Sequence, residues 1–298
     1  MSNAENNTIN SVRELVNVIA SVPTSDGAGV KLRRSLGSQR GLYLDPFLML
    51  DEFGTDNPGD YIAGFPDHPH RGFETVTYML DGRMRHRDHL GNVGDLGPGS
   101  VQWMSAGRGV IHSEMPLQES GRMRGFQLWI NLPAAEKMNA AAYRDIPAQA
   151  IPSAPLVNGG QIKVIAGCAD TGNITLQGPI NSPDQALSTD PIYFDIQLPA
   201  HTVFEHLIKN DYSAFLYCYE GDVHVGKNET SKRVAKQSAG ILSSKGNVRI
   251  KAGDKGARFI LLAGKPIQEP IVQYGPFVMN TRQEIEQAIL DYQTGVLV

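Results

Sequence analysis

The sequence is short of cysteine, of charge and of long apolar runs, and each shortage removes a class of protein. Cys168 and Cys218 are the only cysteines in 298 residues, too few for a disulfide framework, and no basic segment followed by an apolar run resembles a secretion signal. A reducing cytoplasm is the expected compartment. No apolar stretch approaches the ~18 residues that cross a bilayer as a helix, so no membrane partner is expected. Charged residues make up 19% and hydrophobic residues 41% of the chain, against a globular norm of about 25% charged, which excludes a disordered or solubilising chain. There is no basic excess either. Lys and Arg total 27 against 31 Asp and Glu, a formal net charge of -4, so direct nucleic-acid binding is not expected.

What the chain has in excess is turn residues. With 31 Gly and 18 Pro, it exceeds average usage of about 12% for the pair, and these residues are spread along its length. They punctuate short strands: residues 15–22, 30–34, 73–80 closing on Asp81-Gly82, 101–104 after Pro98-Gly99, and 126–132 before Pro133. Strands at such spacing argue for a sandwich or barrel. A second series runs from residues 192–198 to 258–262, with prolines interrupting the stretch between Pro133 and Pro191. The expected organisation is a flexible lead over residues 1–14, a first β domain over 15–150, and a second over 151–298. The second ends in a helix, where Thr281 and Glu284 have capping-box spacing and Gly295 marks the stop.

The chemistry concentrates in two short segments. His68-Pro69-His70 opens the strand that ends at Gly82, and in extended backbone residues i and i+2 share a face, so both imidazoles can reach one metal ion. Pro69 confines the pair to a strand start or edge. Downstream, His112-Ser113-Glu114 repeats the i, i+2 geometry. One His-x-His pair is commonly a satisfied surface or core feature. Two ligand pairs flanking a glycine-punctuated β segment predict a site of three nitrogens and one oxygen.

These motifs resemble a known family. His68, His70, Glu74 and Gly82, followed by Pro98-Gly99 and His112, match the cupin pattern. More narrowly, residues 44–53 (LDPFLMLDEF), 68–76 (HPHRGFETV), 102–109 (QWMSAGRG) and 275–281 (GPFVMNT) resemble the pirin family, in order, and the likeness runs from about Val16 to Gly295. The resemblance implies an all-β fold of two tandem cupin-type antiparallel β-barrels with a C-terminal helix. It implies one mononuclear metal ion, iron by expectation, held in the first domain by His68, His70, His112 and Glu114. Manganese, nickel, copper or zinc would suit the same donors. Some members open flavonols with dioxygen as quercetin 2,3-dioxygenases, and others are described as regulators that bind proteins.

Several residues carry competing readings. Glu74 is a ligand in the general cupin pattern, whereas in the pirin pattern Glu114 takes that part and Glu74 becomes an acceptor behind the ligands or a turn residue. Trp103 could wall a flavonoid pocket or fill a core. His86 could line the pocket mouth or sit in a solvated loop, while Arg71 and Arg108 read as turn ties and the cysteines as inert core thiols. In the second domain, the positions matching His68, His70 and Glu74 relative to Gly221 are Leu207, Lys209 and Ser213. That domain is expected to hold no metal, with His201, His206 and His224 as ordinary strand or surface residues. The resulting expectation is a monomer acting on a small aromatic, flavonoid-like substrate with dioxygen, Glu114 serving as catalytic base. The alternative is a non-enzymatic iron protein that docks a regulatory partner in a redox-dependent way.

Overall fold

The computed structural model describes residues 11–298, and the expected flexible lead lies outside them as far as residue 10. Residues 11–14 are held instead of free. Arg13 is fully buried, and its guanidinium donates to the carbonyls of Gly246, Tyr212, Ser243 and Lys209 at 2.7–3.0 Å.

The chain divides into two compact units, and the termini change places between them. Of the described residues, one unit comprises 11–21 with Ala150–Pro266, the other Val22–Gln149 with Ile267–Val298. One break falls between Gln149 and Ala150, and residues 15–21 and the final segment do not stay with their neighbours in the chain. Strand β1 (Leu15–Ala20) pairs antiparallel with Ser238–Leu242, and Leu15 is buried in the apolar cluster of that sheet. Hydrogen bonds to a distant edge outweigh sequence adjacency here.

The other unit carries strands β2 (Val22–Asp26), β3 (Val30–Arg34), β4 (Phe47–Thr55), β5 (Phe65–His70), β6 (Phe73–Asp81), β7 (Met84–Asp88), β8 (Val93–Leu96), β9 (Val101–Ser105), β10 (Val110–Pro116), β11 (Met123–Asn131) and β12 (Ala142–Ile146). They form two antiparallel sheets, one of four strands in the order β5-β10-β7-β8 and one of seven in the order β12-β9-β6-β11-β4-β3-β2. The region of loosened pattern after Pro133 is strand-built as well, with Pro155 closing the short strand Ser153–Pro155 and Pro191 just before Ile192–Leu198.

Helix α1 (Arg282–Gln293) completes this unit. Its Thr281 and Glu284 form both halves of a capping box, and Ile285 and Ala288 are buried with Phe277, Met279 and Leu297, against which Ile111 of β10 packs. An ion pair from Arg71 Nη1 to Asp291 Oδ2, at 2.7 Å, ties the helix to the residue after His70. Gly72 explains part of the turn chemistry. Its φ is +89°, and a Cβ there would fall 2.0 Å from the Val278 carbonyl oxygen, so only glycine admits the returning C-terminal chain.

The remaining unit is a nine-stranded sheet whose interior is filled by apolar side chains such as Phe194, Ile196, Leu216, Ile250, Phe259 and Leu261. Its histidines do not converge. His201 faces Asp254 at 3.8 Å, His224 faces Asp222 at 3.9 Å, and His206 packs on Phe194 and Phe204. Cys218 is buried as expected of a core thiol, but Cys168 is exposed. Among the described residues no helix is long and apolar enough to cross a membrane.

Candidate metal centre

The two ligand pairs meet because β5 and β10 are antiparallel neighbours. Val110 pairs with His70 and His112 with His68, so the alternation that places His68 and His70 on one face of β5 sets them beside His112. β5 is the edge strand of its sheet, which is where Pro69 can lie without forfeiting a ladder hydrogen bond. Nitrogen atoms of His68, His70 and His112 lie within 4.8 Å of one another, the one such grouping of potential ligands among the described residues. The rings stand 4.3–4.9 Å apart between centroids.

Electrostatics favour the neutral imidazole at His70 and His112. Burial drives the pKa of His70 well below the usual histidine value, with His68 adding to the shift and the Pro276 carbonyl opposing it. Burial likewise lowers His112, helped by His70, His68 and His86. Neutral imidazole is the ligating form. His68 Nδ1 is 2.9 Å from the Pro66 carbonyl, and His112 Nδ1 is 3.2 Å from His86 Nε2. His112 Nε2 is buried with no hydrogen-bond partner, a cost that coordination would remove.

Glu114 lies on the same face of β10 as His112 but outside the 4.8 Å grouping. Its Oε1 accepts from Thr77 Oγ1 at 2.9 Å. His86 is the register partner of Glu114, and its own edge contact with Tyr143 is 4.9 Å between centroids. It therefore stands behind His112 as a hydrogen-bond partner and is buried, not solvated.

Beside the histidines is a cavity of about 610 Å³, bounded by both sheets and by Gln273, Gly275 and Pro276 of the returning C-terminal chain. Its apolar walls include Met49, Phe53, Phe65, Met84 and Trp129. Glu74, Trp103 and His86 are not part of the lining, which corrects Trp103 and His86 as pocket-lining candidates. Glu74 is an odd number of residues from Thr77 on β6, so its side chain leaves by the opposite face. Burial there pushes its carboxyl up to about 7, against the pull of the Trp103 indole. Trp103 is buried opposite Val76 and Arg144 on the same outer face. The aromatic ring at the site is instead Trp129, 5.3 Å from His70 and 4.3 Å from Phe73 between centroids. Its signal in the sequence is parity, for it alternates with Gln127 on the inner face of β11.

The Pirin family profile matches residues 29–130 and the Pirin C-terminal cupin domain profile residues 193–298. A Pseudomonas aeruginosa protein named "Putative quercetin 2,3-dioxygenase" is 52% identical over 285 residues, spanning 96% of this chain and 98% of its own. The mouse protein named "Pirin" is 40% identical over 273 residues, 91% of this chain and 89% of its own. Among solved structures, a quercetin 2,3-dioxygenase from Acinetobacter baumannii superposes with a TM-score of 0.85 at 31% identity, covering 96% of this chain and 99% of that one. With two cupin domains of this type and relatives matched almost end to end, the chain belongs to the pirin family.

Proposed function

We propose that the cavity is the active site of a metal-dependent dioxygenase that opens flavonols such as quercetin, with one metal ion, iron in this reading, held by His68, His70, His112 and Glu114. The observation that carries it is the convergence of three imidazoles beside a cavity of about 610 Å³ whose walls include Met49, Phe53, Phe65, Met84 and Trp129. That volume falls within the range of about 300–1,000 Å³ typical of small-molecule sites. The residues fit the ion: three converging imidazoles, two of them, His70 and His112, held toward the neutral form by burial and the latter with an orphaned buried Nε2, and a carboxylate on the adjoining face position. When bound, such an ion supplies Lewis acidity toward a substrate oxygen and redox access to dioxygen.

The chain's own groups do the rest. Trp129, Phe53 and Phe65 offer faces and edges against which a planar ring system packs while water is excluded. Glu114 receives the proton of the flavonol hydroxyl. Thr77 holds one carboxylate oxygen and leaves the other to serve the ion and, when that bond loosens, to take the proton. His86 fixes the tautomer and tilt of His112 through the 3.2 Å contact.

The deciding experiment is quercetin-dependent dioxygen uptake by the iron-loaded protein, expected to scale with bound iron. Absence of turnover with every flavonol tried would turn the reading to an iron-holding regulator that docks a partner protein. The supporting contact has its own check. His86→Ala should weaken metal binding by roughly 10–100-fold in a chelator-competition titration, and unchanged affinity would remove His86 from the centre.

A further inference from the structure

The inner face of the larger sheet carries a polar row of which the histidine centre uses only the first residue, Thr77. Thr77 on β6 is the register partner of Gln127 on β11, Gln127 of Asp51 on β4, and Asp51 of Arg34 on β3. Four polar side chains therefore stand abreast on four adjacent strands, and at about 4.8 Å per strand the row is roughly 14 Å long. Its near end joins the metal centre: Thr77 Oγ1 lies 2.9 Å from Glu114 Oε1 and 2.6 Å from the Gln127 carboxamide. At its far end Arg34 donates from Nε and Nη2 to both oxygens of Asp51, at 2.8 and 2.7 Å, and from Nη2 to Asp26 at 2.9 Å. All six side chains line the cavity.

Such a row is a poor way to stabilise a barrel. Asp51 is 2% exposed and the side chain of Arg34 21%, and withdrawing an ion pair from water costs about as much as the pairing returns, so apolar residues of similar volume would serve as well. The composition instead suits a ligand. Nε and Nη2 of Arg34 are engaged by carboxylates, which leaves the two N–H donors of Nη1. Two carboxylates around one guanidinium leave a net negative charge, which disfavours an anion and favours a neutral group that donates to Asp51 or Asp26 and accepts from Arg34. A ring hydroxyl does both. The length of the row matches a planar three-ring aromatic laid from the histidines toward Arg34, with Met49, Phe53 and Trp129 against its faces.

We propose that Arg34 and Asp51 are specificity-determining residues that read the hydroxyl groups on the substrate's outer ring, so that the cavity selects a polyhydroxylated aromatic over its bare-ring counterpart. The inference rests on the reading of the cavity as a flavonol site. Its test is equilibrium binding of quercetin and 3-hydroxyflavone to the iron-loaded protein without dioxygen. 3-Hydroxyflavone keeps the hydroxyl and ketone of the central ring and has no hydroxyl on either outer ring. The wild type should bind quercetin at least tenfold more tightly. In the double variant Arg34→Met/Asp51→Leu, which replaces the ion pair by apolar side chains of similar size, the ratio should fall toward one. Asp51→Asn, nearly isosteric, should lower it in the same direction if the double variant fails to fold. Equal affinity of the wild type for the two compounds overturns the inference and leaves the flavonol site standing. Binding of neither overturns both. A ratio unchanged in the folded variants removes Arg34 and Asp51 as its source.

Discussion

Purified His112→Ala is expected to carry almost no metal. The imidazole it loses is the one whose Nε2 is buried and unpartnered, and whose strand neighbours His68 and His70 would be left as a two-nitrogen site. Loss of an outer hydrogen-bond partner costs metal affinity about 10–100-fold, and loss of a ligand should exceed that. Elemental analysis after gel filtration is the measurement, with circular dichroism to show that the fold persists. Full occupancy in the variant would overturn the centre. His70→Ala should behave alike, because it too is buried, at 3% exposure.

Glu114→Gln separates binding the metal from moving a proton. The amide has the same size and can still accept from Thr77 Oγ1, so the local packing is kept and metal is retained in part. An amide cannot take up the substrate proton. Turnover of quercetin per bound metal is therefore expected to fall by roughly 10²–10⁴-fold, the usual consequence of losing a general base. Dioxygen consumption divided by metal content decides it. Equal activity per metal in the two proteins would remove Glu114 as the base, whether or not it remains a ligand.

The parts of this molecule that were legible in its sequence are those set by local geometry. Alternation places His68 with His70 and His112 with Glu114 on shared faces, whatever the strands pair with, and Thr281 with Glu284 closes a capping box within one turn of its own helix. Pairing of strands far apart in the chain has no such local signature. Nothing in residues 15–20 states that they join Ser238–Leu242, and nothing in Asp291 states that it meets Arg71. Arg34 and Asp51 were equally hidden. Runs such as Arg33-Arg34 and Asp51-Glu52 resemble solvated charge until register sets Arg34 against Asp51 and, on the opposite face, Glu52 with Arg124 at 3.1 Å. Glu74 and Trp103 mark the reverse case. Both sit in motifs that flank the ligands, and the parity of β6 and β9 turns both away from the cavity, so that Trp103 follows its core reading.

The return of residues 267–298 to the first-made barrel has a consequence for biosynthesis. Arg71, next to a candidate ligand, waits for Asp291, which is 220 residues later in the chain. Lys137 Nζ likewise waits for the Val278 carbonyl, 3.0 Å away in the finished protein, although its other acceptors, Gly72 and Asn131, precede it. Domains generally fold in order as the ribosome releases them, but this one cannot complete the cavity wall of Gln273, Gly275 and Pro276 until the whole of the intervening unit, residues 150–266, has been made. During synthesis the histidine strands emerge long before their last wall, so the cavity can acquire its final shape only after residues 273–276 have followed them.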